Sequence, residues 1–68
     1  MKIYLPKKYK NLPQWIKNMA ALDAVGYVEE ILNLRRSDKK YREEIESRMN
    51  HFLDEAMRES LTANVGGD

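Results

Sequence analysis

The sequence predicts a mainly α-helical fold. Three helices, at about residues 12–22, 24–35 and 38–61, follow a short extended N-terminal segment. Two observations carry this expectation. From Leu12 onward, apolar residues recur at three- and four-residue spacing, the period of one face of a helix. Residues with capping or helix-starting chemistry stand ahead of each periodic run: Asn11 with Pro13, then Asp23, then Ser37 with Asp38.

Residues 2–5, Lys-Ile-Tyr-Leu, alternate polar and apolar and suit a short strand, with Ile3 and Leu5 on one face and Lys2 and Tyr4 on the other. Pro6 ends that segment. In Asn11-Leu12-Pro13 the Asn can cap, and Pro is tolerated in a first turn, where its missing N–H would have had no partner. Leu12, Trp15, Ile16, Met19, Ala20 and Leu22 then form an apolar face. Gly26 costs about 1 kcal/mol in a helix interior relative to Ala. A break between Leu22 and Gly26 is therefore expected, with Asp23 capping the second helix. Tyr27, Val28, Ile31, Leu32 and Leu34 make that helix's apolar face, and Arg35 and Arg36 suit its negative end.

The third helix carries the clearest pattern. Tyr41, Ile45, Met49, Phe52, Leu53, Ala56 and Met57 form one stripe. The opposite face is charged, and Glu44→Arg48 and Asp54→Arg58 stand four residues apart for favourable pairing. Residues 1–61 read as one small helical domain. Residues 62–68 have no periodicity and read as a flexible tail.

The 68 residues include no Cys, which excludes disulfides and cysteine zinc sites. No uncharged apolar run approaches the roughly 20 residues that span a bilayer, and no N-terminal stretch reads as a signal peptide. A cytoplasmic protein of phage or bacterial type is expected. The net charge of +1 conceals an asymmetry. Residues 1–20 sum to +5, with Lys2, Lys7, Lys8, Lys10 and Lys17 and no acid, whereas residues 41–68 sum to −4. Such a gradient speaks of partners more than an overall charge does. Below about 70–80 residues one core supplies little stability, and without disulfides or metal the usual remedy is self-association. A homo-oligomer completing the fold is expected.

Catalysis is not. His51 is the lone imidazole, every candidate Ser or Thr lies on or beside its helix, and no glycine-rich elbow frames a nucleophile. His51 and Glu55 stand at i,i+4, but zinc needs three or four ligands, so a solvated imidazole bordering the stripe is the expected state. Gly66-Gly67 follows no strand and cradles no phosphate. No enzyme activity, cofactor, metal or small-molecule substrate is expected. The candidate interface consists of Trp15, Ile16, Ile45, Met49, Phe52 and Ala56. Trp15 itself reads either as a core residue or as an interface anchor.

The basic N-terminus supports an alternative. Lys2, Tyr4, Lys7, Lys8 and Lys10 could contact phosphate, with tyrosine stacking or hydrogen-bonding. They could equally blunt an edge strand or pair with the acidic third helix. An N-terminal strand, a Leu-Pro and two helices over about residues 2–34 resembles the ribbon-helix-helix repressors of the Arc and Mnt class. That resemblance implies two chains pairing their strands into a ribbon that enters the DNA major groove. Ile3 and Leu5 would point inward, Lys2 and Tyr4 would read bases, and Asp23 would cap the second helix. The sequence departs from that pattern at Pro13, at Ala21-Leu22 in place of a glycine turn, and at the negative Asp23 where phosphate should dock. The leading expectation is a non-enzymatic helical interaction or regulatory protein, homo-oligomeric and binding a protein partner. It would be phage- or plasmid-borne. A dimeric DNA-binding regulator is the alternative.

Overall fold

A computed structural model describes the backbone of residues 3–66 and the side chains of residues 3–59. Among the described residues the helices are two, not three. Helix α1 spans Gln14–Gly26 and continues without a break into a widened, π-helical segment, Tyr27–Ile31. Helix α2 spans Lys39–Gly66, beyond the end expected at 61. A 3-10 turn, Lys7–Tyr9, precedes α1. Residues 67–68 of the expected tail lie outside the described residues.

The break expected at Asp23–Gly26 does not occur. Gly26 has ordinary helical dihedrals, φ −60° and ψ −45°. Its propensity penalty, about 1 kcal/mol, is outweighed because Ala24 and Val28 on either side are fully buried. A break here would pull both out of the core. Asp23 therefore sits in mid-helix and caps nothing. At the front, Pro13 rather than Asn11 is the residue before the helix. Its extended conformation, φ −57° and ψ 148°, turns its carbonyl to accept from the Ile16 and Lys17 amides at 3.1 and 3.3 Å. Helix α1 so begins two residues later than expected.

The chain leaves α1 through a wide turn. The Leu32 amide reaches back to the Tyr27 carbonyl at 3.1 Å, and the Leu34 amide to the Val28 carbonyl at 3.0 Å. Between them Asn33 adopts a left-handed conformation, φ 57°. Asn is one of the few residues besides Gly that tolerates it, and a left-handed residue is how many helices stop. Asp38, directly ahead of α2, accepts from the Tyr41 amide through its carbonyl at 3.1 Å. Its carboxylate turns back to the Arg35 amide at 2.6 Å, closing the connection.

The two helices pack antiparallel along one side of each. From α1 the buried residues are Ala20, Ala24 and Val28, an i, i+4, i+8 line. From α2 they are Tyr41, Ile45, Met49 and Leu53, as the sequence pattern predicts. Two alanines at the contact let the helix axes approach closely, so α2 supplies the bulky side chains. Residues 3–6 form no strand. A strand needs a ladder partner, and among the described residues there is none. Instead the segment runs along α2, where the Tyr4 amide donates to Glu46 Oε2 at 3.0 Å. Lys2 lies outside the described residues. Ile3, Leu5 and Leu12 pack on the core from this arm.

Two substitutions test these backbone readings. A Cβ added at Gly26 meets nothing within 4 Å, so Gly26→Ala should raise stability by about 0.5–1 kcal/mol, read as a higher urea midpoint. Asn33→Val, forced into the left-handed region, should lower stability by about 1–2 kcal/mol, whereas Asn33→Gly should not.

Candidate interaction surface

Burying the Ala20–Ala24–Val28 line has a consequence 100° around α1. Trp15, Met19 and Leu22 recur at spacings of four and three and so share a stripe. That stripe faces outward, with exposures of 62%, 49% and 75%. Trp15 is therefore no core residue. Ile16 is half-buried and borders the stripe. Across from it stand Phe52 and Ala56 of α2, also half-buried.

Trp15, Ile16, Met19, Phe52, Ala56 and Glu59 together line an open groove of about 390 Å³. A second depression, of about 230 Å³, continues on the far side of Phe52 and is walled by Asp23, Arg48, His51 and Glu55. The structure thus brings together four of the six expected interface residues: Trp15, Ile16, Phe52 and Ala56. The other two are elsewhere. Ile45 and Met49 are 2% and 5% exposed inside the chain's own core and are not on offer to a partner. The sequence reading missed Met19 and Leu22 as surface residues. The signal was present in their spacing with Trp15, but the expected helix break hid which face would be buried.

The rim of the groove is charged. Arg48 Nε donates to Asp23 Oδ2 at 2.8 Å, and the guanidinium lies over the Tyr27 ring at 4.4 Å. Arg48 therefore bridges the two helices instead of pairing with Glu44 on its own. Glu55 and Glu59 extend the rim toward the Trp15 end, with Arg58 Nη1 3.9 Å from Glu55. His51 is exposed at this rim. Among the described residues, no three His, Asp or Glu side chains are grouped as metal ligands would be. Among the same residues, no helix is long and apolar enough to cross a membrane.

The basic arm is placed by Tyr9, which is 1% exposed. Its hydroxyl donates to Asp54 Oδ1 at 2.5 Å, with the side-chain and backbone oxygens of Asn50 at 3.0 and 3.3 Å. Lys8 Nζ lies 3.3 Å from the same Asp54 oxygen. Part of the N-terminal positive charge is thus answered by the acidic helix of the same chain. The hydrogen bond from Tyr9 holds the Asp54 carboxyl below its ordinary value, and Lys8 adds to this. Burial, reinforced by the Asp54 hydrogen bond, pushes the Tyr9 hydroxyl up. At the other end of the hairpin the Tyr41 hydroxyl donates to Glu29, and that bond, with burial, raises it as well. Of the residues offered for nucleic acid, Tyr4, Lys7 and Lys10 remain exposed, and Lys8 is engaged with Asp54.

No family model, curated protein or solved structure matches the chain.

Tyr9→Phe removes the donor but keeps the ring, leaving Asp54 without its hydrogen bond from Tyr9. It should cost about 1–2 kcal/mol, measured by thermal or urea unfolding. The pH dependence has a definite sign. Because the folded Asp54 carboxyl is depressed, its contribution is present above its ordinary value near 3.8 and is lost as pH falls below that. Wild type should lose stability across this acid range more steeply than Tyr9→Phe does.

Proposed function

We propose that the chain is a non-enzymatic helical interaction and regulatory protein whose working surface is the groove between α1 and α2. The observation that carries this reading is the pair of exposed residues Trp15 and Met19 beside Ile16, Phe52 and Ala56. Isolated exposed apolar residues need no explanation, whereas a contiguous run rimmed by charge marks a contact surface. Its form is specific. Two helices with a shallow apolar channel between them accept a third amphipathic helix, which lays its own apolar face into the channel and meets the rim with charge. Trp15 supplies a large, rigid anchor of the kind that dominates binding energies.

The nucleic-acid alternative has less support. It rests on a paired strand at residues 2–5 and a turn between two helices near Asp23. The described part of that segment lies along α2 unpaired, and Asp23 is in mid-helix. Lys8 is engaged with Asp54, as expected if the lysines serve the chain's own acidic helix.

Selection of peptides from a random library against the immobilised full chain tests the reading. The peptides recovered should be amphipathic helix formers with one apolar stripe. Their binding should be lost with Met19→Asp, a change in the groove, and kept with Glu43→Arg, a change on the outer face of α2. Recovery of no helix-forming peptide, or binding indifferent to Met19→Asp, would remove the groove as the working surface.

A further inference from the structure

We propose that Lys7, Lys10 and Lys17 form a binding site for the diphosphate group of a small ligand. The site is a depression of about 260 Å³ where the N-terminal arm meets the start of α1, walled by Leu5, Pro6, Tyr9 and the three lysines. It shares no lining residue with the groove between α1 and α2 and stands independently of it.

The backbone brings the three lysines to one place. Lys7 and Lys10 stand three apart across the 3-10 turn, a spacing that sets side chains on the same side. The Lys10 amide closes that turn on the Lys7 carbonyl at 3.0 Å. Lys17 arrives from the first turn of α1. It is half-buried, and its Nζ donates to the Lys10 carbonyl at 3.4 Å. Tyr9 holds the turn from beneath, buried and hydrogen-bonded to Asn50 and Asp54 of α2. The lysine backbones are thus in position before any ligand arrives, which lowers the ordering cost of binding.

Charge selects the ligand. Lys8, in the same turn, is answered by Asp54. Among the described residues no carboxylate pairs with Lys7, Lys10 or Lys17. Like charges around one depression repel, and a half-buried ammonium without a counter-ion has lost hydration it does not recover. A multivalent anion relieves both costs. Ammonium groups only donate, which matches phosphate oxygens. The walls hold no carboxylate, and the Tyr9 hydroxyl is turned away toward α2. No side-chain acceptor is left there to read a sugar or a base, so recognition is of the diphosphate itself.

Titration of the full chain with inorganic pyrophosphate in low-salt buffer, followed by backbone amide chemical shifts, tests this. The shifts should centre on residues 7–10 and 17 and fit one site, and ADP should bind within a few-fold of pyrophosphate. Lys7→Gln and Lys17→Gln should each weaken binding at least about tenfold. Lys7 is exposed, so its replacement should leave the helical circular dichroism unchanged. Lys40→Gln removes the same charge from the first turn of α2, at the other end of the hairpin, and should leave binding as it was. Absence of binding at about 1 mM pyrophosphate would overturn the proposal. So would equal weakening by Lys40→Gln and Lys7→Gln, which would mean that net charge alone attracts the anion. ADP bound far more tightly than pyrophosphate would overturn recognition of the diphosphate alone. A short DNA strand held through Lys7 and Lys17 where pyrophosphate is not would assign these lysines to nucleic acid instead.

Discussion

The close contact between α1 and α2 through Ala20, Ala24 and Val28 governs the rest of the molecule. Small residues spaced by four present a flat line to the opposite helix. That line packs against Tyr41, Ile45, Met49 and Leu53 from α2. Once this face is chosen, the orientation of every other α1 side chain follows from a turn of 100° per residue. Ile16 falls at the edge, and Trp15, Met19 and Leu22 fall outside. The exposed stripe is thus a product of the same packing decision that forms the core. Most of the Trp15 and Leu22 surface stays in water when a single chain folds.

The ends of the hairpin are secured by polar contacts that each tie α2 to something earlier in the chain. At one end Tyr9 carries the arm onto Asn50 and Asp54, and Lys8 adds its charge. At the other, the widened turn of Tyr27–Ile31 lets three successive residues engage α2. Tyr27 lies under Arg48, Val28 enters the core, and Glu29 accepts from Tyr41. In a regular helix these three would fan over 200°. A turn closed by i→i+5 bonds needs more residues per circuit and so draws them together. The gradient of charge along the sequence is in part consumed by these contacts. Lys8 meets Asp54, and Arg48 meets Asp23. What remains exposed on the arm is Lys7, Lys10 and the Tyr4 ring.

Much of this was legible in the sequence. Of the seven-residue α2 stripe, Tyr41, Ile45, Met49 and Leu53 form the observed core face, because a long, strongly periodic segment has only one way to face inward, while Phe52, Ala56 and Met57 are half-buried beside it. The mainly helical class followed from the same periodicity. The continuity of α1 was not legible. Asp23 and Gly26 are local signals for a helix end, and they lost to the burial of Ala24 and Val28, which is a tertiary effect. The error propagated. With a break assumed, Leu12, Trp15, Ile16, Met19, Ala20 and Leu22 read as one undivided apolar face. The continuous helix divides them into a buried line that includes Ala20 and an exposed line that includes Trp15. The short alternating segment at 2–5 misled for a related reason. Alternation signals a strand only where a partner strand exists, and here residues 3–5 lie beside a helix. Tyr9 gave no local sign of its role, since the hydroxyl's partners lie more than forty residues away.

A hairpin of two helices faces a geometric limit that a third helix would lift. Each helix can bury one side against the other, and the flanks of the contact stay open. Here the two flanks are treated differently. On the flank bearing Glu46 and Asn50, the N-terminal arm lies down, and Ile3, Leu5 and Tyr9 cover the core from that side. On the flank bearing Phe52 and Ala56, nothing of the described chain lies down, and this is the flank where α1 carries Trp15, Ile16 and Met19. If solubility alone had shaped that side, polar residues would serve as well and at no cost to the core. Instead its apolar residues are concentrated where the chain's own cover is missing. A surface of that composition lowers the free energy of the chain only when another apolar face is laid over it. The packing that stabilises one hairpin thereby leaves this apolar face uncovered.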